Sequence, residues 1–88
     1  MTAPLDVVRN AVALVCGVDA AGLDASTDLI ELGADSLALV SIADVVESEL
    51  AAGAVTVHID DASLGRMQRL GEIVDYVVAN RGVLTSAP

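Results

Sequence analysis

Apolar side chains recur at helical spacing in three stretches of the chain, and these stretches predict three main helices. The first helix is predicted to begin at Pro4, which suits an early helical position, and to end at Gly17. Two neighbouring rows of apolar residues run along it and predict burial over a wide arc. The rows consist of Leu5, Val8, Val12 and Val15, and of Val7, Ala11 and Leu14.

The second predicted helix runs from Leu37 to Leu50, directly after two good N-cap residues, Asp35 and Ser36. One apolar stripe along this helix is assigned to the core. The stripe consists of Leu39, Ile42, Ala43, Val46 and Leu50.

The last helix is predicted from about Met67 or Leu70 to Asn80, with Asn80-Arg81-Gly82 as its stop. A short helical piece precedes it, from Ala62 to about Arg66, capped by Asp60-Asp61. The residues of the last helix predicted to face inwards are Leu70, Ile73, Val74, Val77 and Val78.

The connections between these helices differ in character. Residues 17–35 form a long loop, and loops of this length in a small domain are usually functional. Its apolar residues, Leu29, Ile30 and Leu32, are predicted to fix it to the core. Residues 55–59 alternate like a strand but are too short and isolated to make a sheet, so we expect an extended connection. Residues 85–88 are expected to be frayed.

The sum of these elements is an all-α fold, a small bundle of three main helices and one short helix with a long first loop. Its length of 88 residues allows one domain, predicted over 1–88 with an ordered core of about 4–81. The hydrophobic content of 55% excludes a disordered acidic tail.

The charge narrows the class of partner. The formal net charge is −9, and the four cations, Arg9, Arg66, Arg69 and Arg81, form no patch in the sequence. Nucleic acids and anionic membranes would repel such a chain, so the expected partner is a protein with a basic docking surface. The sequence has neither a signal segment nor a membrane-spanning run, and we expect a cytoplasmic, monomeric protein.

Few residues offer chemistry of their own. His58 has no second His or Cys nearby to complete a metal site, and Cys16 lies in an apolar run where a free cysteine is usually a buried hydrophobe. Asp24, Ser26 and Asp28 alternate as in a calcium loop. Leu29 then stands where such a loop requires Gly, and Asp35 where it requires Glu, which argues against calcium. We therefore expect neither intrinsic catalysis nor a metal site.

A motif remains at the start of the second helix. The sequence Glu31-Leu32-Gly33-Ala34-Asp35-Ser36-Leu37 resembles the phosphopantetheine attachment motif of acyl carrier proteins. The resemblance extends along the chain, with a first helix, a long loop, an acidic second helix, a short third helix and a fourth that contains Ile73-Val74-Asp75-Tyr76-Val77. If Ser36 were only an N-cap, the chain would instead be a small acidic interaction protein without a prosthetic group.

The resemblance implies a non-catalytic carrier of the free-standing type. Ser36 would receive 4′-phosphopantetheine from coenzyme A through a separate transferase that uses Mg²⁺, and the thiol of the arm would hold an acyl group as a thioester. Asp35 would help the transferase to recognise the site. The pathway partners implied are an acyl-loading enzyme, either an acyltransferase or an adenylating ligase, and a ketosynthase or a similar enzyme with a basic docking surface. The docking residues implied by the family pattern are Leu37, Val40, Asp44 and Glu47.

Two departures from the family pattern bear on the pathway. The connection from Leu50 to Asp60 is longer than is typical of fatty-acid carriers, and Ser41 and Ser48 stand where those carriers often have carboxylates. The sequence therefore favours polyketide or related specialised biosynthesis over fatty-acid synthesis. A free-standing aminoacyl or peptidyl carrier is the alternative within the family.

Overall fold

A computed structural model describes residues 3–53, 55–80 and 82–83. Within them the elements in chain order are α1 (Pro4–Cys16), a 3₁₀ turn (Ala20–Gly22), α2 (Ser36–Ala52), β1 (Val55–Thr56), α3 (Asp61–Leu64), α4 (Leu70–Asn80) and β2 (Gly82–Val83). The helices make a small bundle, so the predicted all-α fold with three main helices and one short helix is confirmed.

The core lies where α1 packs against both α2 and α4. Stripes of aliphatic side chains from these three helices are fully buried there: Val8, Val12, Ile42, Val46, Ile73 and Val77. Each such side chain contributes about 1.5–3 kcal/mol when it leaves water. The predicted core stripe of α2 is confirmed, with Leu39 half-buried and the other four members buried.

Three residues predicted to be buried are exposed, and each lies at the edge of a covered stripe. Leu14 is 72% exposed because it borders an open groove between α1 and α2 that no other described element covers. Val78 is exposed because α4 packs on α1 through a narrower stripe, that of Leu70, Ile73 and Val77. Ile30 is exposed because it lies at the outer side of a turn held by Asp28.

The long loop is fixed to the rest of the molecule by its backbone as well as by its apolar side chains. Leu29 N–H donates to the carbonyl of Gln68 at 2.8 Å, and Leu70 N–H donates to the carbonyl of Thr27 at 3.0 Å. A third bond joins Gly71 N–H to the carbonyl of Ala25 at 2.9 Å. The loop therefore runs alongside the connection between α3 and α4, in an arrangement that periodicity did not predict.

The segment that follows α2 also differs from the expectation. Residues 55–56 do form a strand, which pairs with β2 in antiparallel register, Val55 opposite Val83 and Thr56 opposite Gly82. The prediction of an unpaired connection was wrong, because the partner strand is supplied from beyond α4.

The short helix α3 begins one residue earlier than predicted and ends earlier, at Leu64. Its N-terminus is capped by Asp60, whose Oδ1 accepts a hydrogen bond from Ser63 N–H at 2.7 Å. Asp61 lies inside the helix. The predicted stop residue Arg81 and the predicted frayed tail, 85–88, lie outside the described residues.

None of the helices in the described part of the chain has the length and apolar character needed to span a bilayer.

Candidate functional site

A tight turn delivers the chain to the start of α2. Gly33 has a φ of +85°, a left-handed conformation that glycine adopts without a steric penalty. Gly33 N–H donates to the carbonyl of Ile30 at 2.9 Å, and Ala34 N–H to that of Leu29 at 3.0 Å. Ala34 is buried, so the turn is attached to the core immediately before Asp35.

Asp35 caps the helix. Its Oδ1 accepts a hydrogen bond from Ala38 N–H at 2.9 Å, and its carbonyl accepts one from Leu39 N–H at 2.9 Å. The sequence allowed either Asp35 or Ser36 to be the N-cap, and the structure gives that role to Asp35. Ser36 is the first residue of α2, it is exposed, and its hydroxyl makes no hydrogen bond to any described residue.

The electrostatic environment of Ser36 suits an anion. The amides of Ser36 and Leu37 lie in the first turn of α2 and have no hydrogen-bond partner among the described residues. Such amides, together with the positive end of the helix dipole, favour a phosphate at this position.

An open cleft of about 270 Å³ lies beside Ser36, between α2 and α3. Its walls are Leu39 and Val40 from α2, and Leu64 and the adjacent Gly65. No motif in the sequence pointed to Leu64 or Gly65, because the packing of α3 on α2 brings them to Ser36. The cleft leaves room for an extended group attached to the serine.

The four residues predicted for docking lie along α2 in two different settings. Leu37 is 75% exposed, and Val40 and Asp44 are also exposed. Glu47 is half-buried, and its Oε2 accepts a hydrogen bond from Ile59 N–H at 3.2 Å. The structure thus brings Leu37, Val40 and Asp44 to one open face, whereas Glu47 is engaged within the molecule.

The carboxylates of the acidic loop are used by the loop itself. Asp24 Oδ1 accepts hydrogen bonds from the hydroxyl and then the backbone N–H of Ser26, and these bonds lower the pKa of Asp24. Asp28 Oδ1 accepts from Ile30 N–H at 2.9 Å and from Glu31 N–H at 3.3 Å. Over the ranges that the structure describes, no group of three or more His, Cys, Asp and Glu side chains is arranged to hold a metal ion.

The other candidate groups, Cys16 and His58, are not among the residues that line the cleft beside Ser36. Burial raises the pKa of the Cys16 thiol, which favours the unreactive protonated form. The His58 side chain is largely exposed, with Nδ1 at 4.0 Å from Oε1 of Glu47.

Comparison with known proteins gives a family for this arrangement. The sequence model of the PP-binding family, described as the phosphopantetheine attachment site, matches residues 6–77. The chain belongs to this family. It is also 36% identical over 76 residues to the acyl carrier protein of Thermotoga maritima, with 85% of this chain and 88% of that protein covered.

The prosthetic group of this carrier protein is therefore 4′-phosphopantetheine. The residues at the start of α2 fit it: an exposed hydroxyl that is not used by the helix cap, amides available to a phosphate, and an open cleft alongside. Leu39, which the sequence predicted only for the core, is also a wall of that cleft.

Proposed function

We propose that this carrier protein holds an acyl group as a thioester on a 4′-phosphopantetheine arm attached to Ser36. The observation that carries the proposal is the separation of roles at the start of α2. Asp35 caps the N-terminus of α2, and the hydroxyl of the neighbouring Ser36 is exposed and has no hydrogen-bond partner among the described residues.

Attachment requires a transferase. The Oγ of Ser36 forms a bond to the phosphorus that carries pantetheine, the pyrophosphate bond of coenzyme A breaks, and adenosine 3′,5′-bisphosphate leaves. A base must take the proton from Oγ, and none of the described residues forms a hydrogen bond with that atom. The base therefore comes from the transferase, and Ser36 is a substrate of that enzyme. Once attached, the arm supplies a thiol that forms the thioester.

The surface around Ser36 suits brief contacts with several enzymes. In this proposal Asp35 is recognised by the transferase, and Leu37, Val40 and Asp44 contact partners with basic docking surfaces. Leu37 and Val40 provide a small apolar contact, and Asp44 provides a charge at its edge. Exposed ion pairs contribute only about 0–1 kcal/mol each, so such contacts favour rapid release.

We further infer that the pathway is polyketide or related specialised biosynthesis. The long connection after α2 and the serines at positions 41 and 48 support this inference. The pairing of β1 with β2 gives part of that connection a defined structure.

The attachment is tested by intact-mass measurement. The chain is incubated with coenzyme A, Mg²⁺ and a promiscuous phosphopantetheinyl transferase, and we expect a gain of one phosphopantetheine group. Ser36→Ala should show no gain. Ser48→Ala is the matched control, because Ser48 is an exposed serine of the same helix, and it should be labelled like the wild type. Labelling of Ser36→Ala would disprove the assignment, and a wild type that gains nothing would favour an interaction protein.

The cargo is tested by the intact mass of the protein isolated from its native source, which reports the arm and its acyl group together. A carbon chain built from ketide units supports the proposed pathway. An aminoacyl group would show the alternative, a carrier loaded by an adenylating ligase.

A further inference from the structure

The segment just before α3 is held by two long helices. From α2, Glu47 Oε2 accepts the hydrogen bond from Ile59 N–H at 3.2 Å. From α4, the hydroxyl of Tyr76 lies 3.2 Å from the carbonyl oxygen of His58 and 3.3 Å from Oδ2 of Asp60, so its one proton is shared between them. The side chain of Ile59 is buried in the core.

This segment determines where α3 lies. A helix of four residues has almost no stability of its own, since a single turn does not recover the cost of nucleation. Its position therefore depends on how its ends are attached. Asp60 caps its N-terminus and is the residue next to Ile59, so the bond from Glu47 acts one residue away from the cap.

The position of α3 matters because Leu64 and Gly65 form one wall of the cleft beside Ser36. The opposite wall, Leu39 and Val40, belongs to α2, the helix that also carries Glu47. Glu47 thus links the two walls through Ile59 and the cap of α3.

We propose that Glu47 is a positioning residue, whose hydrogen bond to the backbone of Ile59 holds α3 against α2 and so sets the width of the cleft at Ser36. The functional part of this inference rests on the proposed attachment at Ser36. It gives Glu47 a role different from the docking role that the family pattern implies, because the carboxylate acts inside the molecule.

Two substitutions separate the two roles. Glu47→Gln removes the charge but keeps a side-chain oxygen that can accept from Ile59 N–H, whereas Glu47→Ala removes both. If Glu47 docks partners through its charge, phosphopantetheine transfer to the two variants should be impaired equally. If Glu47 positions α3, Glu47→Gln should keep most of the transfer rate and of the Ile59 amide protection that Glu47→Ala loses. Glu49→Ala is the matched control, because Glu49 is an exposed carboxylate of α2 that has no hydrogen bond to the described residues and is not among the proposed docking residues.

The structural readout is the backbone amide of Ile59, followed by NMR in the protein without its prosthetic group. In Glu47→Ala we expect this amide to lose the shift typical of a bond to a carboxylate, and to exchange with solvent roughly 10- to 100-fold faster, as for loss of a charged hydrogen bond. The amides of Leu64 and Gly65 should also shift. Glu47→Gln should keep most of the protection, and Glu49→Ala should leave the exchange of the Ile59 amide unchanged. Unaltered Ile59 exchange in Glu47→Ala would overturn the inference.

The functional readout is the rate of phosphopantetheine transfer to the same four proteins. We expect Glu47→Ala to be modified more slowly at saturating concentrations of the carrier protein, with Glu47→Gln close to the wild type. Equal impairment of Gln and Ala, expressed as a higher KM, would assign Glu47 to docking and contradict the inference. If no variant is modified at all, the proposed function fails, while the Ile59 measurement still decides the structural role of Glu47.

Discussion

At Gly71 the long loop approaches α4 closely. A Cβ atom placed there would lie 2.8 Å from the carbonyl oxygen of Ala25 and 3.0 Å from its Cβ. The carbonyl cannot move away without breaking its hydrogen bond from Gly71 N–H, and the Cβ belongs to the same residue. A methyl group at this position must therefore separate the loop from the helix.

We expect Gly71→Ala to destabilise the protein by about 1–3 kcal/mol, the usual cost of overpacking. The free energy of unfolding in urea measures the effect. Gly22→Ala is the control, because a Cβ at Gly22 would meet no atom within 4 Å. Equal stability of the two variants would show that the close approach at Gly71 is not a constraint.

Asp60 makes the stability depend on pH. Hydrogen bonds from the Ser63 amide and then the Ser63 hydroxyl lower its pKa, with smaller contributions from Tyr76 and His58. A folded pKa below the unfolded value, near 3.9, means that the charged carboxylate stabilises the fold above that pH. The stabilisation is lost as the pH falls through the folded pKa.

Thermal unfolding of Asp60→Asn across a pH series tests this effect. The wild type should be more stable than the variant above about pH 5, and the difference should close in strong acid. Asp44→Asn serves as the comparison, because Asp44 makes no hydrogen bond to the described residues. A difference for Asp60→Asn that persists unchanged to low pH would contradict the assigned cause.

The sequence predicts the role of a residue when that role depends on its near neighbours in the chain, and not when it depends on a distant segment. The sequence predicted a cap at Asp35 or Ser36 because a cap is a local pattern, although only the structure shows that Asp35 has that role; the attachment at Ser36 stays a proposal. The bond between Glu47 and Ile59 was not predicted, since it joins residues that no periodic pattern relates. The predicted burial of Leu14 was wrong for a related reason. Periodicity identifies the apolar face of a helix, but not how much of that face a neighbouring helix covers.

At the scale of elements, the helices were predictable and the contacts between irregular segments were not. The bounds of α1 and α4 follow from apolar spacing and terminal residues. The three backbone bonds from the long loop to residues 68–71, and the pairing of β1 with β2, depend on segments far apart in the chain. Backbone hydrogen bonds leave no side-chain pattern from which such pairs can be found.

Hydrogen exchange tests the loop's attachment. The amides of Leu29, Leu70 and Gly71 should be protected although they lie outside or at the very start of a helix, because each donates to a backbone carbonyl across the two segments. The amide of Ala25, which has no partner among the described residues, is the internal comparison and should exchange quickly. Equally fast exchange at all four positions would show that the loop is not bound as described.

For the whole molecule, the net charge of −9 on 88 residues is the dominant electrostatic fact. Like charges repel more strongly in the compact state, and salt screens them. We expect the midpoint of thermal unfolding to rise with NaCl by several degrees, since about 1 kcal/mol corresponds to roughly 4–8 °C at this size.

Glu49→Gln provides the check, because Glu49 is exposed on α2. Removal of this one charge should raise the midpoint at low salt, and the gain should fade as salt is added. A midpoint that falls with NaCl, or a gain independent of salt, would mean that repulsion does not limit the stability.

The assignment of the helix cap to Asp35 has a consequence for the life of the molecule. If the modified serine were itself the N-cap, its hydroxyl would accept a hydrogen bond from a first-turn amide. Esterification would remove this capping bond, and cleavage of the arm would restore it. In the proposed attachment the esterified hydroxyl belongs to Ser36, the residue after the cap, so the modification would leave the capping hydrogen bond of Asp35 intact. The bare and the modified forms should then unfold at nearly the same temperature, and the arm can be added late or replaced without refolding the protein.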